Sequence, residues 1–308
     1  MRRWQSLAAA VTASLFLAAA ASAVFLVETT TLRQSSLPKP LDERARAVVR
    51  ATGAAAIPAR LRAADGALLE GTVFIPMDQP VGAVILFHGL GDDRTGMLWP
   101  AELFLQAGFV TLTPDLRAHG ASGGDRLTFG FLEARDAAAW AEWMTRRFHP
   151  QRIFAMGHSL GAAVALQALQ FTDRFDAVIA EAPFSDFPQI AGEHIEEMAG
   201  IPKAGWLGRP IAELAFLWTR LRFQFDLSLA SPLNAVKNSQ SPVLLIHGAR
   251  DETIPVEHSR RLRDANPAKV QLWEVPDGHN NDLPRVAGPA YKATLTEWFR
   301  SFLPRDPS

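Results

Sequence analysis

The sequence has no cysteine in 308 residues. That excludes a disulfide framework, a thiolate zinc site, a cysteine nucleophile and a lipid-modified N-terminal cysteine. It also lacks an excess of either charge. Lys and Arg total 31 against 32 Asp and Glu, a formal charge of −1. A nucleic-acid binder would carry a basic surplus, so that class is excluded. The eight histidines include no pair at i,i+4 and no H-E-x-x-H, which leaves a metal site without support. What remains is a chain with 48% apolar and 20% charged residues, the composition of a folded globular protein. Its length fits one or two domains, or one large α/β domain.

The N-terminus carries the one long apolar run. Arg2 and Arg3 precede an uncharged stretch from Trp4 to Val27, ended by Glu28. From Leu7 to Val27 only Thr12, Ser14 and Ser22 are polar. Roughly 20 apolar residues suffice to cross a bilayer. Residues 1–27 are therefore expected to be a transmembrane anchor, with the rest of the chain outside the cytoplasm by the positive-inside rule. The alternative is an exported protein. Ala21-Ser22-Ala23 has the small-x-small form of a signal cleavage site. Residues 28–56 are expected to form a tether, broken by Thr29-Thr30-Thr31, Ser35-Ser36 and Pro38-Lys39-Pro40.

From residue 57 to 303 the pattern alternates strand and helix. The short apolar run at 81–87 predicts a buried strand, and 109–113, 152–156, 177–180, 243–247 and 270–275 are read as further strands. Helical stretches at 99–107, 131–148, 160–170 and 291–302 lie between or after them. A hairpin is expected over 61–76, turning at Asp65-Gly66. Such alternation predicts a mostly parallel sheet with helices on both faces. Residues 188–240 hold no convincing strand. They are expected to be a helical cap inserted over the sheet.

Four segments carry chemistry. Gly157-His158-Ser159-Leu160-Gly161 follows a predicted strand and opens a predicted helix. That is the context of a nucleophile elbow, in which Ser159 projects above the sheet edge. His88-Gly89-Leu90-Gly91 follows the strand at 81–87. Backbone N–H groups of Leu90 and Leu160 are the candidate oxyanion hole. Asp251, after the strand at 243–247, is the candidate acid, with Glu181 and Asp186 as alternatives. His279, in Pro276-Asp277-Gly278-His279-Asn280-Asn281, is the candidate base. His88 and His119 are expected to stabilise loops, and His158 to line a pocket wall. The order Ser159, Asp251, His279 is that of one triad class.

On these segments, with Asp115-Leu116-Arg117-Ala118-His119-Gly120-Ala121-Ser122, the chain resembles the α/β-hydrolase superfamily. The resemblance implies an eight-stranded sheet in which only the second strand is antiparallel, and no cofactor or metal. It implies a serine hydrolase with Ser159 as nucleophile, similar to esterases, thioesterases and acylglycerol lipases. The expected partner is a small-molecule ester or acyl substrate, and an anchor would bring lipid-like esters within reach. Two other classes stay open. One is a serine peptidase that binds a substrate amine through Glu193, Glu196 or Glu197. The other is a silent binding protein on the same scaffold.

Overall fold

A computed structural model describes residues 21–22, 24–25, 27–33, 43–201 and 208–304. The chain divides into two compact units. The larger comprises Arg33–Asp186 and Ser231–Ser308, and the smaller comprises Met1–Leu32 and Phe187–Ala230.

The larger unit is built on one eight-stranded sheet, ordered β1-β2-β4-β3-β5-β6-β7-β8. The strands are β1 (Ala55–Arg62), β2 (Leu68–Ile75), β3 (Gly82–Phe87), β4 (Phe109–Pro114), β5 (Ile153–His158), β6 (Ala177–Glu181), β7 (Val243–Gly248) and β8 (Val270–Val275). β2 runs antiparallel to both β1 and β4, and every other pairing is parallel. The α/β-hydrolase architecture expected from the motifs is therefore present. The hairpin turns where Asp65-Gly66 predicted. Asp65 Oδ1 accepts the Ala67 N–H at 3.1 Å, and Gly66 takes a φ of +92° that side chains rarely adopt.

All residues of β3, β4 and β7 are buried; β3 accordingly reads as an unbroken apolar run, and β4 and β7 are mainly apolar, broken by Thr111, Thr113 and His247. Right-handed crossovers place helices on a face set by the direction in which the chain moves across the sheet. The step from β3 to β4 goes one way, through α2 (Leu98–Gln106), after the short α1 (Glu43–Thr52). The steps from β4 to β8 go the other way. They run through α3 (Glu133–Phe148), α4 (Leu160–Ala168), and, after the smaller unit, α7 (Pro232–Lys237) and α8 (Glu257–Ala265). The reversal lies at β3, between β4 and β5. Clefts beyond the carboxyl ends of strands at such a reversal are where α/β sheets bind ligands.

One core cluster joins α2, the sheet and the closing helices α9 (Leu283–Ala287) and α10 (Pro289–Arg300). At its centre Phe299 stacks on Phe154, centroids 4.6 Å apart, and lies 5.2 Å from Phe104. Part of the stretch expected as a tether belongs to this fold. Ala45 and Val48 of α1 pack with Phe74, Leu98 and Leu105, and β1 begins at Ala55.

The smaller unit pairs α5 (Phe187–Met198) with α6 (Arg209–Phe223). Phe187 and Phe216 meet with centroids 5.8 Å apart. The helices approach so closely at Gly208 that a Cβ there would lie 2.2 Å from Gly192 O. The acids considered for an amine site are engaged within the unit. Glu193 accepts from Gln189 Nε2, Glu196 accepts the Gly208 N–H, and Glu197 pairs with His194.

The expectation of a membrane anchor over residues 1–27, with a catalytic domain outside the cytoplasm, is corrected. Among the described residues no helix is long and apolar enough to cross a membrane. At the described end of the apolar run Val27 packs on protein while Phe25 is exposed. Val27 is 5% exposed, and Glu28 Oε1 accepts from Trp218 Nε1 at 3.1 Å. A run of apolar residues carries no mark of whether lipid or protein covers it. The cleavage alternative concerns the same segment, of which residues 1–20, 23 and 26 lie outside the described residues.

Phe299→Ala is expected to cost about 3–5 kcal/mol of unfolding free energy, the range for emptying a buried aromatic site. Urea denaturation measures it, and a loss below about 1 kcal/mol would contradict this account of the core.

Candidate active site

Ser159 sits between β5 and α4 with φ 51° and ψ −115°. A residue with a side chain held there is strained by about 1–3 kcal/mol. The surroundings enforce the turn. The Ser159 N–H donates to Glu181 O at 2.8 Å, and Ser159 O accepts from the Ala163 N–H at 3.1 Å. Two glycines let strand and helix close on each other. A Cβ at Gly157 would lie 2.2 Å from Gly161 O, and one at Gly161 would lie 2.1 Å from Phe87 O. This is the close approach that the G-x-S-x-G spacing predicted. The strain fixes Ser159 at the carboxyl end of β5, beside the reversal in the sheet.

The loop after β3 comes against this turn. A Cβ at Gly89 would stand 3.2 Å from His158 Cδ2 and 3.7 Å from Ser159 Cβ. Two histidines shape the loop, in the structural role expected of them. His88 Nε2 accepts the Leu116 N–H at 3.0 Å, so its Nδ1 is free to donate to Gly89 O at 2.8 Å. His119 Nε2 accepts the Gly91 N–H, and its Nδ1 lies 2.9 Å from Arg117 O. Each ring thus uses one nitrogen as acceptor, which requires the neutral form. Burial, with His119 nearby, lowers the His88 pKa to about 4, and burial also lowers that of His119. Leu90 lies between these anchors. Among the described residues, neither the Leu90 nor the Leu160 N–H donates a hydrogen bond within the chain. Both remain available to an incoming oxygen.

Asp251 lies after β7, with one carboxylate oxygen accepting the N–H groups of Thr253 and Ile254 at 2.9 Å each. The other accepts from Asn280 Nδ2 at 2.7 Å and lies 3.3 Å from His247 Nε2. Burial opposes its charge. His247, the Ile254 N–H and Asn280 outweigh burial and hold the carboxyl below its ordinary pKa. His279 follows β8 on an exposed loop, and its backbone N–H donates to Asp282 Oδ1 at 2.7 Å. Among the described residues its imidazole has no hydrogen bond to Ser159 or to Asp251. The structure thus brings Asp251 to Asn280, the neighbour of His279, and leaves the His279 ring turned to solvent.

The motif reading missed the two amides. Asn280 binds Asp251, and Asn281 Oδ1 lies 3.0 Å from His158 Nε2. The signal was two adjacent asparagines after the candidate base. Their partners lie 29 and 123 residues away in sequence, beyond what local pattern conveys. Glu181, an alternative acid in the sequence reading, is committed elsewhere. It accepts from Tyr291 and lies 3.1 Å from His158 Nδ1.

Comparison with known proteins agrees with this fold. The sequence profile of the Alpha/beta hydrolase family matches residues 84–287, and the chain belongs to that family of hydrolases. It is 28% identical over 233 residues to the uncharacterized protein YqkD of Bacillus subtilis, covering 75% of this chain and 74% of that one. It is 27% identical over 189 residues to the lysophosphatidylserine lipase ABHD12 of Danio rerio, covering 59% of this chain and 46% of that one. Among solved structures it is similar to the Pyrococcus furiosus esterase Pf2001. The TM-score is 0.66 at 23% identity, over 83% of this chain and 94% of that one. The acylaminoacyl peptidase of Pyrococcus horikoshii gives a TM-score of 0.61 at 19% identity, over 83% of this chain and 43% of that one. At these identities the two structures establish the fold alone.

Gly161→Ala is expected to lower unfolding free energy by about 1–3 kcal/mol, because the added methyl has no room. A urea midpoint equal to that of the wild type would contradict the close strand–helix approach.

Proposed function

We propose that this chain is a serine hydrolase that cleaves carboxylic ester or thioester bonds through an acyl-enzyme intermediate. The observation that carries the reading is Ser159, held in a strained turn at the sheet reversal, with the unbonded N–H groups of Leu160 and Leu90 beside it. Strain of this kind persists where a side chain must be presented.

On this reading His279 takes the Ser159 proton as Oγ attacks the substrate carbonyl. Its ring turns inward from solvent to do so, since catalytic hydrogen bonds commonly tighten only with substrate bound. Asp251 fixes the tautomer and stabilises the imidazolium. Its depressed pKa keeps it anionic for that task. The carbonyl oxygen gains negative charge and is met by the Leu90 and Leu160 N–H groups, each worth about 3–4 kcal/mol in the transition state. His279 then gives its proton to the departing alcohol or thiol. Water, deprotonated by the same ring, attacks the acyl-enzyme and releases the acid and the free serine.

Small esters with an apolar, lipid-like acyl group are the substrate class we favour. The relative from Danio rerio is named a lysophosphatidylserine lipase. The smaller unit exposes Leu217 and Leu221 one helical turn apart on α6. A peptidase would need a free acid for the substrate amine, and Glu193, Glu196 and Glu197 are occupied within α5 and its neighbours.

The test is a panel of p-nitrophenyl acyl esters and acyl thioesters beside aminoacyl amides. Ester or thioester turnover is expected to exceed amide turnover. Ser159→Ala and His279→Ala are each expected to lose about 10⁴-fold or more in kcat, and Asp251→Asn about 10⁴-fold. A Ser159→Ala variant with wild-type turnover would overturn the proposal.

A further inference from the structure

Asn281 is exposed, two residues beyond His279, yet its amide is tied to the strand that presents the nucleophile. His158 Nε2 lies 3.0 Å from Asn281 Oδ1, and His158 Nδ1 lies 3.1 Å from Glu181 Oε1. A carboxylate only accepts, so Nδ1 carries a proton. The third accessible edge of the ring, at Cδ2, faces Gly89 closely enough that a Cβ there would sit 3.2 Å away. One imidazole therefore touches the end of β6, the loop after β3 and the loop after β8, while its own backbone adjoins Ser159.

We propose that His158 is a positioning residue, tying the loop that carries His279, through Asn281, to the turn that carries Ser159. The inference rests on the reading of Ser159 as nucleophile and His279 as base. It assigns His158 and Asn281 to that machinery although neither need touch substrate.

The ring is itself held in place. Glu181 binds it through Oε1 and accepts from Tyr291 through Oε2. Burial and the adjacent Glu181 carboxylate raise the Tyr291 pKa well above its ordinary value, so the phenol stays a donor. The main-chain oxygen of Glu181 also receives the Ser159 N–H. With Asn281 Oδ1 toward it, Nε2 donates as well when the ring is protonated. Burial opposes that cation, but Glu181, then Asn281 and Asp251, raise its pKa. The loop after β8 has two consecutive amide anchors. Asn280 goes to the acid and Asn281 to the nucleophile strand. Together they fix where the His279 backbone stands relative to Ser159.

The rate of covalent labelling by a fluorophosphonate reports the serine and its base without needing the natural substrate. It is measured on the full chain for wild type, His158→Ala, Asn281→Ala, the double variant and His158→Gln, each with its thermal unfolding midpoint. A displaced base costs up to about 100-fold. The single variants are expected to label about 10- to 100-fold more slowly. The double variant should be no more than about 3-fold slower than either single variant, because both remove one tie. His158→Gln should recover to within about 3-fold of wild type, since its amide can donate to Glu181 and, once the Asn281 amide turns over, accept from Asn281 Nδ2. Wild-type labelling by Asn281→Ala, or single effects that multiply in the double variant, would overturn the proposal. Because Asn281 is exposed, that variant carries the test even where His158→Ala does not fold. Labelling that survives in Ser159→Ala would instead overturn the nucleophile assignment beneath it.

Discussion

The rest of the larger unit is arranged around one close approach, that of β5 to α4 across Gly157 and Gly161. With a methyl group at either glycine the strand would collide with the helix or with the Phe87 carbonyl. With hydrogen there, the chain reverses in a single residue. Ser159 takes a backbone conformation that a side chain adopts only under constraint. The strain is offset locally by hydrogen bonds to Glu181 O and from the Ala163 N–H, and globally by a helix of which every residue is buried. What the fold gains is a hydroxyl standing clear of the sheet at its topological reversal, with the N–H that opens α4 unbonded beside it.

Two loops answer to that turn, and each is built to hold a shape without spending the groups it presents. After β3, His88 and His119 use both ring nitrogens to bind backbone. Burial keeps them neutral, so they add no charge where an oxyanion would form. After β8, Asn280 and Asn281 bind to Asp251 and His158. The base candidate between strand and amides stays unencumbered. Polar side chains thus serve the site mainly by fixing the backbone around it, a use in which each buried donor and acceptor needs its partner.

Much of this was legible in the sequence, and the reason differs by element. β3 announced itself because a strand buried on both faces is apolar throughout, and β4 and β7 because they are mainly so. The elbow was legible because its glycines are required by contact distances. Side-chain partners were less so. That Glu181 binds His158 and Tyr291 depends on residues 23 and 110 positions away, which no local pattern encodes. The apolar N-terminal run misled for a different reason. Its described end is covered by protein only at Val27, beside the Glu28–Trp218 contact, and hydropathy alone does not distinguish such cover from lipid. What was not legible in the presumed tether is that α1 packs on the fold, because only Ala45 and Val48 of its ten residues are buried.

The account stands or falls on Ser159 forming a covalent bond with substrate. Rapid acid quenching of a stoichiometric reaction with a p-nitrophenyl acyl ester, followed by tryptic digestion, tests this directly. The tryptic peptide spanning 153–174 contains Ser159 as its only serine. The account predicts that this peptide gains the mass of the acyl group, on Ser159, in step with a burst of p-nitrophenol. Release of p-nitrophenol with that peptide unmodified, or with the acyl group on another residue, would contradict it.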